Sequence, residues 1–350
     1  MPRSNTLCRL QQTGLRLLQL TCALSLLTVL PAQADRDLRF TANWAFEASN
    51  APFVLAEQKG YFRDEGLNVR IDAGEGSSAV ITRIGSGSYE AGFGDINTLI
   101  EFNSRFPENS QRMVYMVYNR PPLAIMTLTR SGIETPADLE GRIIGAPAND
   151  TAYRMFPLFA DATGINADNI KFESITPNLR ETMLVQGRVD AIAAFPPSAQ
   201  PNLLNLGIDE DDIRTFYFSD YGVPLYSNGL IVTQKMIENE PEVVAGLVRA
   251  VNRALKESIA DPQMAAEALL KKDSLINTEL EVSRMEFLIS NQLVTDEVEE
   301  LGLGAVDSER LEASIEAVSG ALGIETLLTA DQVFDSSFLP DIDQRRVPAH

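Results

Sequence analysis

Cysteine is nearly missing from this sequence: 350 residues contain two, Cys8 and Cys22. Both fall in the first 34 residues, so the remainder can form no disulfide and no thiolate metal site, and its fold must rest on a packed core. Histidine is scarcer still, represented by His350 at the last position. With no histidine elsewhere, Ser–His and Cys–His dyads and histidine-ligated metals are excluded almost by inventory. Positive charge is also short, 29 Lys+Arg against 49 Asp+Glu for a net charge of −20. That balance argues against nucleic acid and anionic membrane surfaces as partners, both of which reward clustered cations. Among so many acids some carboxylate pair always exists, but no spacing singles one out. The composition therefore reads as a non-enzyme with no cofactor and no metal.

Long apolar runs are lacking too. The one sizeable run, Leu17 to Leu30, is about fourteen residues, short of the roughly 20 that span a bilayer. Arg3, Arg9 and Arg16 precede it and "PAQAD" follows it, the pattern of a secretory leader with cleavage expected between Ala34 and Asp35. Cys22 stands in the middle of the run, and Gln19 occupies the place where a lipidation signal usually has Leu, which speaks against a lipid anchor. Removal of the leader takes three arginines and no acid, moving the charge to −23 and leaving 316 residues. A chain of that length exceeds what one core usually serves and predicts two lobes.

What is present is an alternation of strand and helix patterns. "LRFTAN" reads as a strand, "APFVLAEQKGYF" as a helix closed by Gly60, and "LNVRIDA" as the next strand. This strand–helix–strand order favours parallel sheets that receive ligands at the carboxyl ends of their strands. The pattern continues through "SSAVITRIGSGSYE" (helix), "AGFGD" (strand), "INTLIEFNSR" (helix) and "RMVYMVYN" (strand). A second series opens at "PPLAIMTLT": "TPADLEG" starts a helix, with Thr135 and Asp138 as a capping box, then come "RIIGAPA" (strand), "DTAYRMFPLFADATG" (helix), "IKFESI" (strand), "LRETMLVQGR" (helix) and "VDAIAAF" (strand). From Pro241 the chain turns helical, with one apolar stripe of Val244, Leu247, Val248, Val251, Leu255 and Ile259. Further helices are expected at 263–272, 278–292 and 307–322, their charged residues on solvated faces. The tail "FDSSFLPDIDQRRVPAH" is turn-rich, with disorder expected at its end.

Three helix starts that directly follow strands are rich in small polar residues. Ser77 and Ser78 stand in "AGEGSSAV", Asp95 and Asn97 in "GFGDINT", and Asn149, Asp150 and Thr151 in "GAPANDTAY". Free N–H groups and the helix dipole make such places receptive to ligand oxygens, although each residue alone can be a plain N-cap. Three of them at the carboxyl ends of strands, divided between two lobes, describe a cleft. Phe195 in "AFPPSAQP" either walls that cleft or belongs to a simple turn. Tyr226 and Asn228 precede a strand that returns to the first lobe, and Asn119 in "YNRPPL" joins the candidates. The single tryptophan, Trp44, lies in a polar loop after the first strand, flanked by Asn43, Glu47 and Asn50. Glu47 is either a ligand contact or an exposed loop charge. For an anion, Arg120 and Arg154 are the nearest cationic candidates.

"NWAFEASNAPFVLAEQKGYFRDEGLNV" resembles the opening of periplasmic substrate-binding proteins of ABC importers, in the nitrate/sulfonate/taurine and thiamine-precursor (pyrimidine) group. The likeness extends through "GFGDINTLI", "IETPADLEGRIIGAPA", "VDAIAAFPP", "YSNGLIV" and "FDSSFLP". It implies an α/β, two-lobed periplasmic-binding-protein fold (type II), with a ligand cleft between lobes joined by two crossing strands. On that plan 1–34 is the signal peptide, 35–122 begins lobe 1, 123–227 is lobe 2, and 228–350 completes lobe 1. It further implies a periplasmic, monomeric receptor that captures a small organic solute and delivers it to a membrane permease. By the same resemblance Asn43 and Trp44, Asp95 to Asn97, and Asn149 to Thr151 face the ligand. One departure stands out: thiamine-precursor relatives tend to have His where this chain has Asn50, and related pyrimidine synthases consume a histidine. A synthase-like enzyme and a ligand-sensing domain that signals to a membrane partner are the alternatives; the missing histidine disfavours the first.

Overall fold

The computed structural model describes residues 35–223 and 225–348. The expected leader over 1–34, its cleavage point, both cysteines and His350 lie outside the described residues.

The chain runs through β1 (Arg36–Thr41), α1 (Ala51–Lys59), β2 (Leu67–Asp72), α2 (Ser77–Gly85), β3 (Ala91–Asp95), α3 (Ile96–Arg105) and β4 (Gln111–Met116). It then builds β5 (Ala124–Leu128), β6 (Ile143–Ala146), α4 (Thr151–Arg154), α5 (Phe156–Thr163), β7 (Lys171–Ser174), α6 (Arg180–Val185), β8 (Ala191–Ala194), α7 (Pro196–Asn205) and β9 (Ile213–Tyr217). After β10 (Asn228–Thr233) come α8 (Pro241–Ala260), α9 (Pro262–Lys272), α10 (Thr278–Leu288), α11 (Asp296–Leu301) and α12 (Ser308–Leu322). Two five-stranded sheets result, ordered β2-β1-β3-β10-β4 and β7-β6-β8-β5-β9. Each sheet is the centre of one lobe.

Neither sheet is wholly parallel, contrary to the expectation from strand–helix alternation. In the first, β10 lies antiparallel between β3 and β4, with Asn228 opposite Asp95. In the second, β5 runs antiparallel to β8 and β9. The reason is topological: β5 and β10 are the strands by which the chain enters a lobe from the other, and each inserts against the run of its neighbours. Strand β9 has no counterpart in the sequence reading, because "IRTFY" is an edge strand with one fully buried residue and no clear alternation.

Three local expectations also change. "TPADLEG" forms one 3-10 turn, Pro136–Leu139, held by the Thr135–Asp138 capping box. "DTAYRMFPLFADATG" forms two helices broken at Met155, two residues before Pro157, whose nitrogen has no hydrogen to donate to the preceding turn. "AFPPSAQP" is the start of α7, with its two prolines in the first helical turn, where a missing N–H costs least. The tail is docked: Arg345 is buried and donates to the carbonyls of Leu301 (2.9 Å), Leu303 (2.8 Å) and Pro340 (2.7 Å).

The apolar stripe of α8 is fully inward, with Val244, Leu247, Val248, Val251, Leu255 and Ile259 all buried. At about 1.5–3 kcal/mol for each fully buried aliphatic side chain, that face anchors α8 on lobe 1. From the same core a file of rings, Phe40, Phe53, Phe93 and Tyr118, advances at 5.0, 4.8 and 5.7 Å between centroids. It ends on the segment that crosses to lobe 2. A second core is shared by both lobes: Ile96, Leu99 and Ile100 of α3 and Phe159 of α5 lie in one cluster with Leu311, Ile315 and Val318 of α12. The two crossing segments run side by side, since Val117 and Tyr118 donate to the Asn228 carbonyl (2.9 and 3.0 Å) and Ser227 donates to that of Tyr118 (3.1 Å).

Candidate functional site

The carboxyl ends of β1, β6 and β8 face one another across the gap between the lobes, and a cavity of about 560 Å³, mouth included, lies there. Lobe 1 contributes Asn43, Trp44, Glu47 and Ser77 to its wall, and lobe 2 contributes Asp150, Thr151 and Phe195. The loop after β1 is pinned from behind, where Gly74 donates to the Trp44 carbonyl (2.9 Å) and Gly76 to that of Asn43 (2.7 Å). Gly76 has φ 118°, and a Cβ there would sit 2.3 Å from the Asn149 carbonyl oxygen. Only glycine lets the lobes approach this closely at that point.

The remaining sequence candidates are elsewhere. Asn50 is buried below the loop, donating to the Ala45 carbonyl (3.1 Å) and Ser49 (3.2 Å). Asp95 caps α3 by accepting from Asn97 N–H (2.9 Å) and Thr98 N–H (3.1 Å), and Ser227 donates to its other oxygen (3.1 Å). Asn97 donates to the Tyr226 carbonyl (2.6 Å). Ser78 and Asn149 meet through the backbone at 3.4 Å, and Asn228 lies behind Ser77 at 3.4 Å. Asn119 and Tyr226 sit in the crossing segments, where both bond to Glu297 of α11. None of these eight lines the cavity; they brace the loops and the hinge. Arg120 is exposed, and Arg154 pairs with Glu101 of α3.

The cationic side chains of the wall are two that the sequence reading passed over, Arg180 and Arg284. Arg180, at the start of α6, is 2 % exposed and lies between Glu181 (2.7 Å) and Asp150 (3.3 Å). Burial disfavours its charge, but the neighbouring Glu181 and Asp150 outweigh that and hold the guanidinium above its ordinary range. Burial pushes the Asp150 carboxyl up, against the pull of Arg180. Arg284 of α10 pairs with Glu281 of the same helix and stands 3.8 Å from Glu47. It also bonds to Asn202 on α7, across the cleft. Burial pushes Glu281 up to about 7, although Arg284 and the Ala48 N–H, which it accepts at 2.6 Å, favour its charged form. Ser198 of α7 donates to Glu47, a second tie between lobes.

Both residues of α10 overturn the expectation of a solvated face. The signal was present: Glu281, Arg284, Met285 and Leu288 fall at i, i+3, i+4 and i+7 of one helix and are all buried. Charges within an inward stripe mark a polar site, since burying them unpaired is costly. Two polar atoms of wall residues have no partner, Asn43 Oδ1 and Arg284 Nε.

A family model described as "NMT1/THI5 like" matches residues 47–265. The chain belongs to the NMT1/THI5-like family. Among curated relatives of the family, a "Formylaminopyrimidine-binding protein" of Halalkalibacterium halodurans is 25% identical over 297 residues, covering 84% of this chain and 88% of that one. A "4-amino-5-hydroxymethyl-2-methylpyrimidine phosphate synthase" of Aspergillus parasiticus is 27% identical over 251 residues, covering 69% and 72%. Of solved structures, the alkanesulfonate-binding protein SsuA from Xanthomonas axonopodis pv. citri, bound to MOPS, matches with a TM-score of 0.67 at 15% identity, over 87% of this chain and 100% of that one. The fold is thus that of periplasmic binding proteins. Glu281 and Arg284 lie beyond the span matched by the family model.

Proposed function

We propose that this chain is a non-enzymatic solute receptor whose lobes close over a small organic molecule and which hands that molecule to an ABC import permease. The observation that carries the reading is the inter-lobe cavity, walled by Trp44 and Glu47 from one side and Asp150 and Phe195 from the other, with Asn43 Oδ1 and Arg284 Nε left unpaired in its wall. Paired crossing segments give the hinge, and a cleft of this kind buries a ligand by hinge closure. The names of the formylaminopyrimidine-binding and alkanesulfonate-binding proteins agree with receptor work. We place the receptor outside the cytoplasm, behind a cleaved leader over 1–34, as a monomer with lobe boundaries at the crossing segments near 122 and 228. A synthase role, as in the name of the Aspergillus protein, is not favoured, because the chain's one histidine is His350.

The test uses protein purified from its host without unfolding. A small molecule released on denaturation is identified by mass spectrometry and returned to stripped protein. The expected result is a higher Tm and a smaller radius of gyration by small-angle scattering. An unchanged radius and Tm at saturation overturn the receptor reading.

A further inference from the structure

Four charged side chains line the cavity, Glu47, Asp150, Arg180 and Arg284, and two more, Glu181 and Glu281, pair with the arginines from behind. All six are buried, Glu47 at 6 % exposure, Asp150 at 5 %, Glu181 at 5 % and Glu281 at 2 %, against Arg180 at 2 % and Arg284 at 6 %. They form two adjoining groups, one of Arg180 with Asp150 and Glu181, the other of Arg284 with Glu281 and Glu47. Each guanidinium therefore faces two carboxylates. Fully ionised, the cluster holds two negative charges without a counter-ion, an arrangement the interior of a closed protein strongly penalises. Among the described residues no other lysine or arginine lines the cavity.

A second observation points the same way. Asn43 Oδ1 is an acceptor without a donor, on a residue 7 % exposed in the cavity wall. Arg284 Nε, a donor without an acceptor in the same wall, asks in addition for one acceptor atom on the ligand. Around them stand Trp44, Tyr118 and Phe195, rings whose faces attract cations.

We infer that the ligand of this cleft is a small, flat organic cation, carrying N–H donors for Asn43 and the carboxylates of Glu47 and Asp150. The inference rests on the receptor reading and narrows its ligand by charge. An anion would meet the buried carboxylates of Glu47 and Asp150, with Glu181 and Glu281 behind the two arginines, and a neutral molecule would leave the excess charge uncompensated. Burial pushes the Glu281 carboxyl up to about 7, so in the empty cleft a proton on it would offset part of the excess. The groups facing Glu281 are Arg284 on its own helix and Glu47 with the Ala48 N–H on the opening loop; α7 brings only uncharged Ser198 and Asn202, and Lys272 at the end of α9 is engaged with Glu57. A bound cation favours the ionised carboxylate, so capture of one positive charge releases a proton and tightens as pH rises through 7.

Calorimetric titration with benzamidine, benzamide and benzoate tests this, since the three share size and flatness and carry charges of +1, 0 and −1. At pH 8 benzamidine is expected to bind at least tenfold tighter than benzamide, with no binding of benzoate. At pH 6 the benzamidine Kd is expected to rise about tenfold, the effect of one proton on a group titrating near 7. Glu281→Gln removes that pH slope; if it does not fold, Glu47→Gln serves to reduce the charge preference. Equal binding of the three, a preference for benzoate, a flat pH profile in the native protein, or no binding of any probe overturns the inference. The host-carried molecule separates the two readings: a neutral or anionic solute that closes the lobes keeps the receptor and removes the cation.

Discussion

Arg180 of lobe 2 places its guanidinium carbon 5.2 Å from the centroid of the Trp44 ring of lobe 1. A cation over an indole contributes roughly 0.5–2 kcal/mol, more when shielded from water, and here the contact joins the two lobes. Trp44 is the chain's single tryptophan, so tryptophan emission reports on this one position in the cleft wall. Ligand-driven closure is expected to shift the emission, and Trp44→Phe to abolish the signal while weakening capture about tenfold. An emission spectrum that stays fixed while calorimetry shows saturation would place Trp44 off the moving cleft.

Arg180 is also the cation that Asp150 and Glu181 share, and all three side chains are buried. Arg180→Met leaves two buried carboxylates without their cation, which costs about 3–5 kcal/mol when one partner of a buried pair is removed. Urea unfolding at pH 7 measures it. Arg180→Lys is expected to recover only part, because an ammonium cannot fork between two acids. A loss under about 1 kcal/mol, the range of exposed ion pairs, would show that the pair is solvated.

Much of the fold was legible because its signals are local. Strand runs such as "AGFGD", the helix stop at Gly60 and the stripe of α8 depend on periodicity and turn chemistry within a few residues. The antiparallel insertion of β10 was not, since it depends on which lobe the chain has just left. Within the site, Trp44, Asp150 and Phe195 follow strands directly and could be found by position. Arg180 could not, as its pairing with Asp150 spans thirty residues. Asn119 and Tyr226 were drawn to the cleft by their polarity, whereas their partner Glu297 lies on a helix far along the chain.

Arg310 gives that hinge its own clamp. Its guanidinium donates to the carbonyl of Asn119 (2.7 Å) on one crossing segment and to that of Leu225 (2.8 Å) on the other, pairs with Glu297 (2.5 Å), and lies over the Tyr226 ring at 4.1 Å. Charge-assisted bonds of this kind contribute about 1.5–3 kcal/mol each. Arg310→Gln is expected to speed amide exchange at Val117, Tyr118 and Ser227 at least tenfold while leaving exchange in β6 and β8 unchanged. Uniform acceleration across both lobes would mean that Arg310 holds up the whole fold and not the hinge.

Asp95 makes a prediction whose sign is fixed by its burial. It is wholly enclosed at the start of α3, and loss of solvation raises its carboxyl to about 6 from 3.8, despite the N–H groups of Thr98 and Asn97 and the Ser227 hydroxyl that bond to it. The folded state thus holds this proton more tightly than the unfolded one. The resulting stabilisation is complete below the unfolded value and is lost as pH rises through about 6, by an amount of order 3 kcal/mol. Asn caps helices as well as Asp and carries no proton in this range, so Asp95→Asn lacks the loss. Urea unfolding from pH 4 to pH 8 should show the variant gaining on the native protein as pH rises, with the change centred between 4 and 6. A difference that stays constant with pH, or that moves in favour of the native protein, would show that the Asp95 charge is well stabilised where it lies.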